Sequence, residues 1–245
     1  MLPVPVSMPP NGCGFSRGNM KKISIIVITT CMLLSSGLFI GVGANAIDGT
    51  QVTVKDVLRL VQQRYDNTRD ITALFTQETY SPGISQAVMA SGRVFFSRPE
   101  MMRWEYERPE SQLIVTSGRE VYIYEKDAGQ VTILPRKRFL SSEISRAFFF
   151  GKGSLETFFN VTTDEKCSLG KTWCLRLFPK QKSGSLKELR LIIDPTTQLI
   201  QEMWISDELS SRTHIRFREI KVNQSLSPEL FKFVPPAGVE VYRAE

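Results

Sequence analysis

The chain has 245 residues, 31 basic against 25 acidic side chains, and a single histidine. Setting aside the amino-terminal leader, which holds Arg17, Lys21 and Lys22 but no acid, leaves 28 basic against 25 acidic groups, a net +3. That balance calls for no nucleic-acid partner, and one histidine without spaced cysteines or clustered carboxylates excludes a zinc site and most acid–base catalysis.

The leader is read from three features in order. Met20-Lys21-Lys22 opens a basic segment, Ile23 to Val42 is nearly all apolar, and Ala44-Asn45-Ala46 is a small-x-small cleavage site. Residues 1–46 are therefore expected to be an upstream extension and a cleaved secretory signal, with Met20 the better start. Residues 47–245 are expected to form one domain of about 200 residues. Export leaves Cys167 and Cys174 as the only cysteines, in an oxidising compartment where they should pair. So short a ring contributes about 2 to 2.5 kcal/mol in the chain-entropy model. It is a staple rather than a redox site.

Val54, Val57, Leu58, Val61 and Tyr65 recur at helical spacing, which predicts one amphipathic helix over Thr53 to Tyr65. Ile71 to Tyr80 alternates as a strand and ends at the turn signal Ser81-Pro82-Gly83. About five more strand-like runs follow between Ala87 and Leu134, punctuated by Arg98-Pro99, Arg108-Pro109, Ser117-Gly118 and Ala128-Gly129. Without helices between them they must form an antiparallel meander.

Within that meander, Gly92 to Tyr106 reads as two strands joined by a tight Arg-Pro corner. Val94 and Phe96 share one face before Pro99. After it, Met102, Trp104 and Tyr106 share a face while Arg103, Glu105 and Glu107 take the other. Pro99 removes a ladder donor and pushes Arg98 into an extended backbone, fixing a cation at the rim of an apolar face. That face is read as a pocket for an apolar ligand, with Arg98 as its latch.

The pattern changes at Pro135. Arg136-Lys137-Arg138 is expected as a solvated basic loop, followed by a short helix that Ser141 or Ser142 can cap and that carries Phe148, Phe149 and Phe150. Ser154 to Phe159 is expected as a second short helix. This aromatic insertion is either ordinary core or a lid over the sheet. Strands are then expected over Thr172 to Phe178, Lys187 to Ile193, Leu199 to Ser206 and Arg212 to Val222, with a helical turn at Pro228 to Phe231. About eleven strands result, and one sheet of that size must curl strongly or close.

Motifs for catalysis do not emerge. No serine sits in a nucleophile-elbow pattern, and Gly151-Lys-Gly-Ser154 lacks the spacing of a phosphate loop. His214 lies in an alternating strand as a solvent-facing or hydrogen-bonded residue, and Glu105 with Glu107 forms a solvated face. The expectation is a protein that is not an enzyme and takes no cofactor.

Across nearly the whole mature domain the sequence resembles the LolA family of periplasmic lipoprotein carriers. Ala73-Leu-Phe75-Thr-Gln77 is similar to the family's first-strand signature, and Gly92 to Tyr106 with Arg98-Pro99 is similar to its central motif. Pro109 to Val115 with Gly118 and Tyr124 fits the next hairpin; Asn223, Phe231-Lys-Phe233 and Pro236-Ala-Gly238-Val239 fit the ending. Ser117 stands where the family usually has Asp, and the cysteine pair is not a general family feature. The resemblance implies a mainly β fold, a single strongly curled antiparallel sheet forming an incomplete barrel with a helical lid.

It also implies a periplasmic protein that takes acylated lipoproteins from an inner-membrane ABC transporter and passes them to an outer-membrane acceptor. At the position of Arg98 it implies a latch that holds the lid by hydrogen bonds to its backbone. Combined with the alternation, the expected acyl-chain lining is Phe75, Val94, Phe96, Met102, Trp104, Tyr106, Leu113, Val115, Phe148 and Phe149. A one-residue slip would invert any strand's share of it. The chain carries no heptad pattern, and a monomer is expected. Two other uses of such a fold stay open: a periplasmic lipid-sensing regulatory module, and a carrier of free lipid or glycolipid.

Overall fold

The computed structural model describes residues 52–139, 155–164, 172–181 and 186–244. The leader, Phe148, Phe149 and Cys167 lie outside the described residues.

Helix α1 spans Val54–Asp66 and begins with a reciprocal cap. The Asp56 backbone N–H donates to Thr53 Oγ1 at 3.2 Å and the Thr53 backbone N–H donates to the Asp56 carboxylate at 3.3 Å. Its apolar stripe buries Val57, Leu58 and Val61, together worth roughly 5 to 8 kcal/mol of apolar burial.

Twelve strands follow in one sheet among the described residues. They are β1 Asp70–Tyr80, β2 Val88–Ser97, β3 Met101–Arg108, β4 Gln112–Ser117, β5 Glu120–Glu125, β6 Gln130–Pro135, β7 Phe159–Thr163, β8 Trp173–Pro179, β9 Leu186–Ile193, β10 Ile200–Asp207, β11 Arg212–Val222 and β12 Glu240–Arg243. Their spatial order is β12-β6-β5-β4-β3-β2-β1-β11-β10-β9-β8-β7, so β1 and β11 close the two hairpin ladders onto each other in the middle. Laid flat, twelve strands would span about 50 Å. The sheet instead curls around α1, whose residues touch both halves: the Tyr65 carbonyl oxygen accepts from Arg98 next to β2, and the Tyr65 hydroxyl accepts from the Ile200 backbone N–H of β10.

Three expectations are corrected. β12 pairs with β6 in parallel, because the chain crosses the outer face before it reaches that edge. The short helix at 154–159 is only Leu155–Phe158 (α3), and Phe159 already opens β7, where Phe159 and Val161 alternate with Asn160 and Thr162. The basic loop after Pro135 is one helical turn, α2 Arg136–Phe139, tied down by a 2.9 Å bond from the Arg136 backbone N–H to the Arg119 carbonyl oxygen and an Arg136–Glu100 ion pair at 3.4 Å.

The outer face has its own small core at the β3–β6 end. The 3-10 turn Pro228–Phe231 buries Phe231, and Phe233 packs on the rings of Tyr122 and Tyr124 at centroid distances of 5.4 and 5.7 Å. Arg103 donates to the Leu230 carbonyl oxygen at 3.1 Å and pins this arm.

Gly92 is set by close approach rather than by a turn. A Cβ at this position would lie 1.8 Å from the Glu105 carbonyl oxygen, a backbone atom that cannot give way without breaking the β2–β3 ladder beside its bulge. Gly92→Ala is accordingly expected to destabilise the domain by several kcal/mol, read as a lower midpoint in urea unfolding at unchanged slope.

Candidate acyl-chain site and its rim

The inner face of β1–β3 is built from the alternation of three strands in register. Val94 pairs with Ala73 and with Trp104, Gly92 pairs with Phe75 and with Tyr106, and Phe96 pairs with Met102. Paired residues in an antiparallel sheet point to the same side, so Phe75, Val94, Phe96, Met102, Trp104 and Tyr106 share one face. All but Phe96 are buried, and Phe96 packs partly exposed against the same cluster. Phe75 meets Trp104 edge-on at 4.8 Å and Tyr106 at 5.0 Å; Trp104 also contacts Phe96 at 6.0 Å and Phe217 at 6.2 Å. Such ring pairs add about 0.5 to 1.5 kcal/mol beyond their buried area.

Two expected lining residues are placed elsewhere. Leu113 pairs with Glu105 and Val115 with Arg103, so both stand on the outer face. Ile114, opposite Trp104, takes the inner position that was expected of them. The alternation misleads because both faces of β4 are apolar: its outer face is covered by the carboxy-terminal arm, and Val115 pairs with Tyr122 beneath Phe233. Beyond Ile114, the sequence reading did not single out Phe217, Ile215 and Met203, which complete the inner face on the other half of the sheet.

Arg98 lies at the rim of this face. Its backbone N–H donates to the Arg69 carbonyl oxygen at 2.9 Å. Among its side-chain contacts, Nη2 donates to the carbonyl oxygen of Tyr65 at 2.5 Å and lies 3.6 Å from an Asp66 carboxylate oxygen. Arg98 therefore grips the carboxy-terminal end of α1, where a cation is favoured by the dipole, adding a further bond to a Tyr65 carbonyl oxygen that also accepts from the Thr68 backbone N–H at 3.0 Å. The ion pair is largely exposed and adds little; the charge-assisted bond to a main-chain carbonyl is the stronger part. The lid segment that the sequence reading assigned to this latch lies outside the described residues.

Tyr65 enters the sequence pattern only as part of the apolar stripe of α1, and its polar role is not signalled there. Burial pushes its hydroxyl up to about 12, so it stays neutral in any physiological medium and serves as the acceptor for Ile200. Burial likewise raises the Tyr106 hydroxyl. One end of α1 is thus bonded to the Arg98 corner and to β10 at once.

The remaining polar groups read as structure. His214 is 3% exposed, stacked on Trp204 at 3.8 Å, with Nε2 2.7 Å from a Glu202 carboxylate oxygen. Glu105 and Glu107 both pair with Arg93, and Glu105 also with Arg103. Cys174 is buried and disulfide-bonded. Among the described residues no three His, Cys, Asp or Glu side chains are grouped for a metal ion, and no helix is long and apolar enough to cross a membrane.

The sequence pattern described as outer membrane lipoprotein carrier protein LolA matches residues 66–234. The chain belongs to the LolA family. An outer-membrane lipoprotein carrier protein of Nitrosomonas europaea is 31% identical over 223 residues, which cover 91% of this chain and 98% of that protein. One of Pseudomonas syringae pv. tomato is 30% identical over 210 residues, covering 86% and 96%. Among solved structures, an uncharacterized conserved protein from Thermus thermophilus matches with a TM-score of 0.50 at 15% identity, over 78% of this chain and 98% of that one. That last likeness concerns the fold alone. The LolA match runs from the last residue of α1 to just past the Phe233 contact, so it takes in the Arg98 corner and every strand except β12.

Proposed function

We propose that this protein is a periplasmic carrier of lipoproteins, holding their acyl chains against the inner face of the curled sheet. In this reading residues 1–46 are the extension and cleaved signal, and 47–245 the carrier domain. Cargo is received from an inner-membrane ABC transporter and handed to an outer-membrane acceptor. The observation that supports it is the aromatic cluster of Phe75, Phe96, Trp104 and Tyr106 on one concave face, bounded by an arginine that grips a helix end.

Each buried methylene contributes about 0.8 kcal/mol, so a long acyl chain needs an escort through water. Release without ATP requires an empty state that is already closed on itself, whose opening offsets part of that gain. The inner face meets this condition by filling itself with its own rings. Phe75, Val94, Phe96, Met102, Trp104 and Tyr106 are the acyl-contacting set, joined by Phe148 and Phe149 if the lid follows the family, and Arg98 is the latch.

The test is native mass spectrometry of the mature protein taken from its own periplasm. Acylated polypeptide in the complex is the expected result. Free lipid alone would replace lipoprotein by lipid as the cargo, and an empty protein under all growth conditions would remove the carrier reading and leave a sensor.

A further inference from the structure

The inner face is apolar along its middle and ends in a polar crevice at the rim away from Arg98. β3 runs from Met102 beside the Arg98 corner to Arg108 at this crevice, about 20 Å at 3.4 Å per residue. The crevice is bounded by Tyr106, Arg108, Glu110, Gln112, Glu125 and Asp127, among others.

Tyr106 belongs to both regions. Its ring is packed by Phe75 and lies 6.3 Å from Trp104, while its hydroxyl donates to Gln77 Oε1 at 3.2 Å. The Gln77 amide in turn donates to Thr79 Oγ1 at 3.2 Å, and both residues are at least 95% buried. A hydrogen-bonding chain is thus set into the core beside this crevice. Outside it, the side chains of Arg108, Glu110, Gln112 and Glu125 make no hydrogen bond or ion pair with one another or with other described residues. Asp127 accepts from the Ser111 backbone N–H at 3.1 Å. Donors and acceptors are therefore left unspent around an opening that adjoins the aromatic cluster.

The charge of the lining selects its occupant. Three carboxylates stand against one guanidinium, which repels a phosphate or carboxylate head group and accommodates a neutral or cationic chain with amide donors and acceptors. We infer that this crevice holds the first residues of the polypeptide to which the acyl chains are joined, a neutral or cationic peptide segment lying beside Gln112, Glu110 and Glu125, while the acyl chains run from Tyr106 along the inner face. The inference rests on carriage of acylated polypeptide as proposed above.

The experiment compares binding of a tripalmitoylated Cys-Ser-Lys-Lys-Lys-Lys lipopeptide, palmitate and phosphatidylglycerol to the secreted protein and to its Glu110→Lys/Glu125→Lys variant. The variant is expected to bind the lipopeptide roughly tenfold more weakly and palmitate at least as tightly as the unmodified protein does, since the reversed charge no longer repels its carboxylate. Gln112→Leu, which adds no charge, is expected to weaken the lipopeptide alone by a smaller factor and serves if the double variant does not fold. Unchanged lipopeptide affinity in both variants, an equal loss for palmitate, or tighter binding of phosphatidylglycerol than of lipopeptide to the unmodified protein would each overturn the crevice assignment. If the unmodified protein binds neither lipopeptide nor palmitate, the carrier reading itself falls, and the assignment with it.

Discussion

Trp104→Ala is expected to lower the unfolding free energy by about 3 to 5 kcal/mol. The indole is 5% exposed and touches Phe75, Phe96 and Phe217 from three strands, so its removal leaves a cavity that no single neighbour can fill. In a domain of this size that loss corresponds to a drop of roughly 10 °C or more in melting temperature. Trp204→Ala is the matched control: Trp204 sits half-buried on the outer face, stacked on His214, and its loss is expected to cost about 1 to 2 kcal/mol.

A second consequence separates a plain core from a core that gives way to cargo. If an acyl chain lies where these rings pack, a palmitoylated ligand fills the cavity of Trp104→Ala and raises its melting temperature more than it raises that of the unmodified protein. Equal shifts in the two proteins would mean that the chain binds elsewhere. A Trp104→Ala protein within about 1 kcal/mol of the parent would show that the cluster is loosely packed from the start.

The second large effect is at Arg98. Arg98→Leu removes the charge-assisted bond to the Tyr65 carbonyl oxygen and the Asp66 pair while keeping an aliphatic stem at the rim. The empty protein should lose about 1 to 2 kcal/mol. If closure of α1 on the sheet competes with cargo, that loss falls on the empty state alone, and the bound state gains by the same amount. Transfer of a palmitoylated lipopeptide to acceptor vesicles should then slow by roughly tenfold. Faster transfer, or no change with the melting temperature lowered as expected, would make Arg98 a structural residue. Arg98→Lys divides the effect further, since an ammonium can still reach one carbonyl but cannot span two acceptors.

How much of this could be read from sequence depends on how each face is used. α1 was legible because Val57, Leu58 and Val61 repeat at helical spacing behind the Thr53 cap. β3 was legible because Met102, Trp104 and Tyr106 alternate with charged residues that ion-pair on the outer face. β4 was not, since Leu113, Ile114 and Val115 are apolar on both sides and the cover over its outer face arrives from more than a hundred residues away. β12 left no pattern at all: its four residues are exposed and it is held by parallel pairing to β6. The grip of Arg98 on Tyr65 spans 33 residues, and local alternation places the arginine at a rim without saying what it holds.

The measurement that tests the acyl-contact assignment most directly is fluorescence quenching by a brominated palmitoyl chain. The chain contains three tryptophans, and Trp173→Phe with Trp204→Phe leaves Trp104 as the only one, read by selective tryptophan excitation. Bromine quenches on contact, so bound ligand should extinguish most of the Trp104 emission, with the bromine position along the chain setting how strongly. Calorimetric binding of the same ligand with undiminished Trp104 emission would contradict the assignment and place the acyl chain away from the inner face.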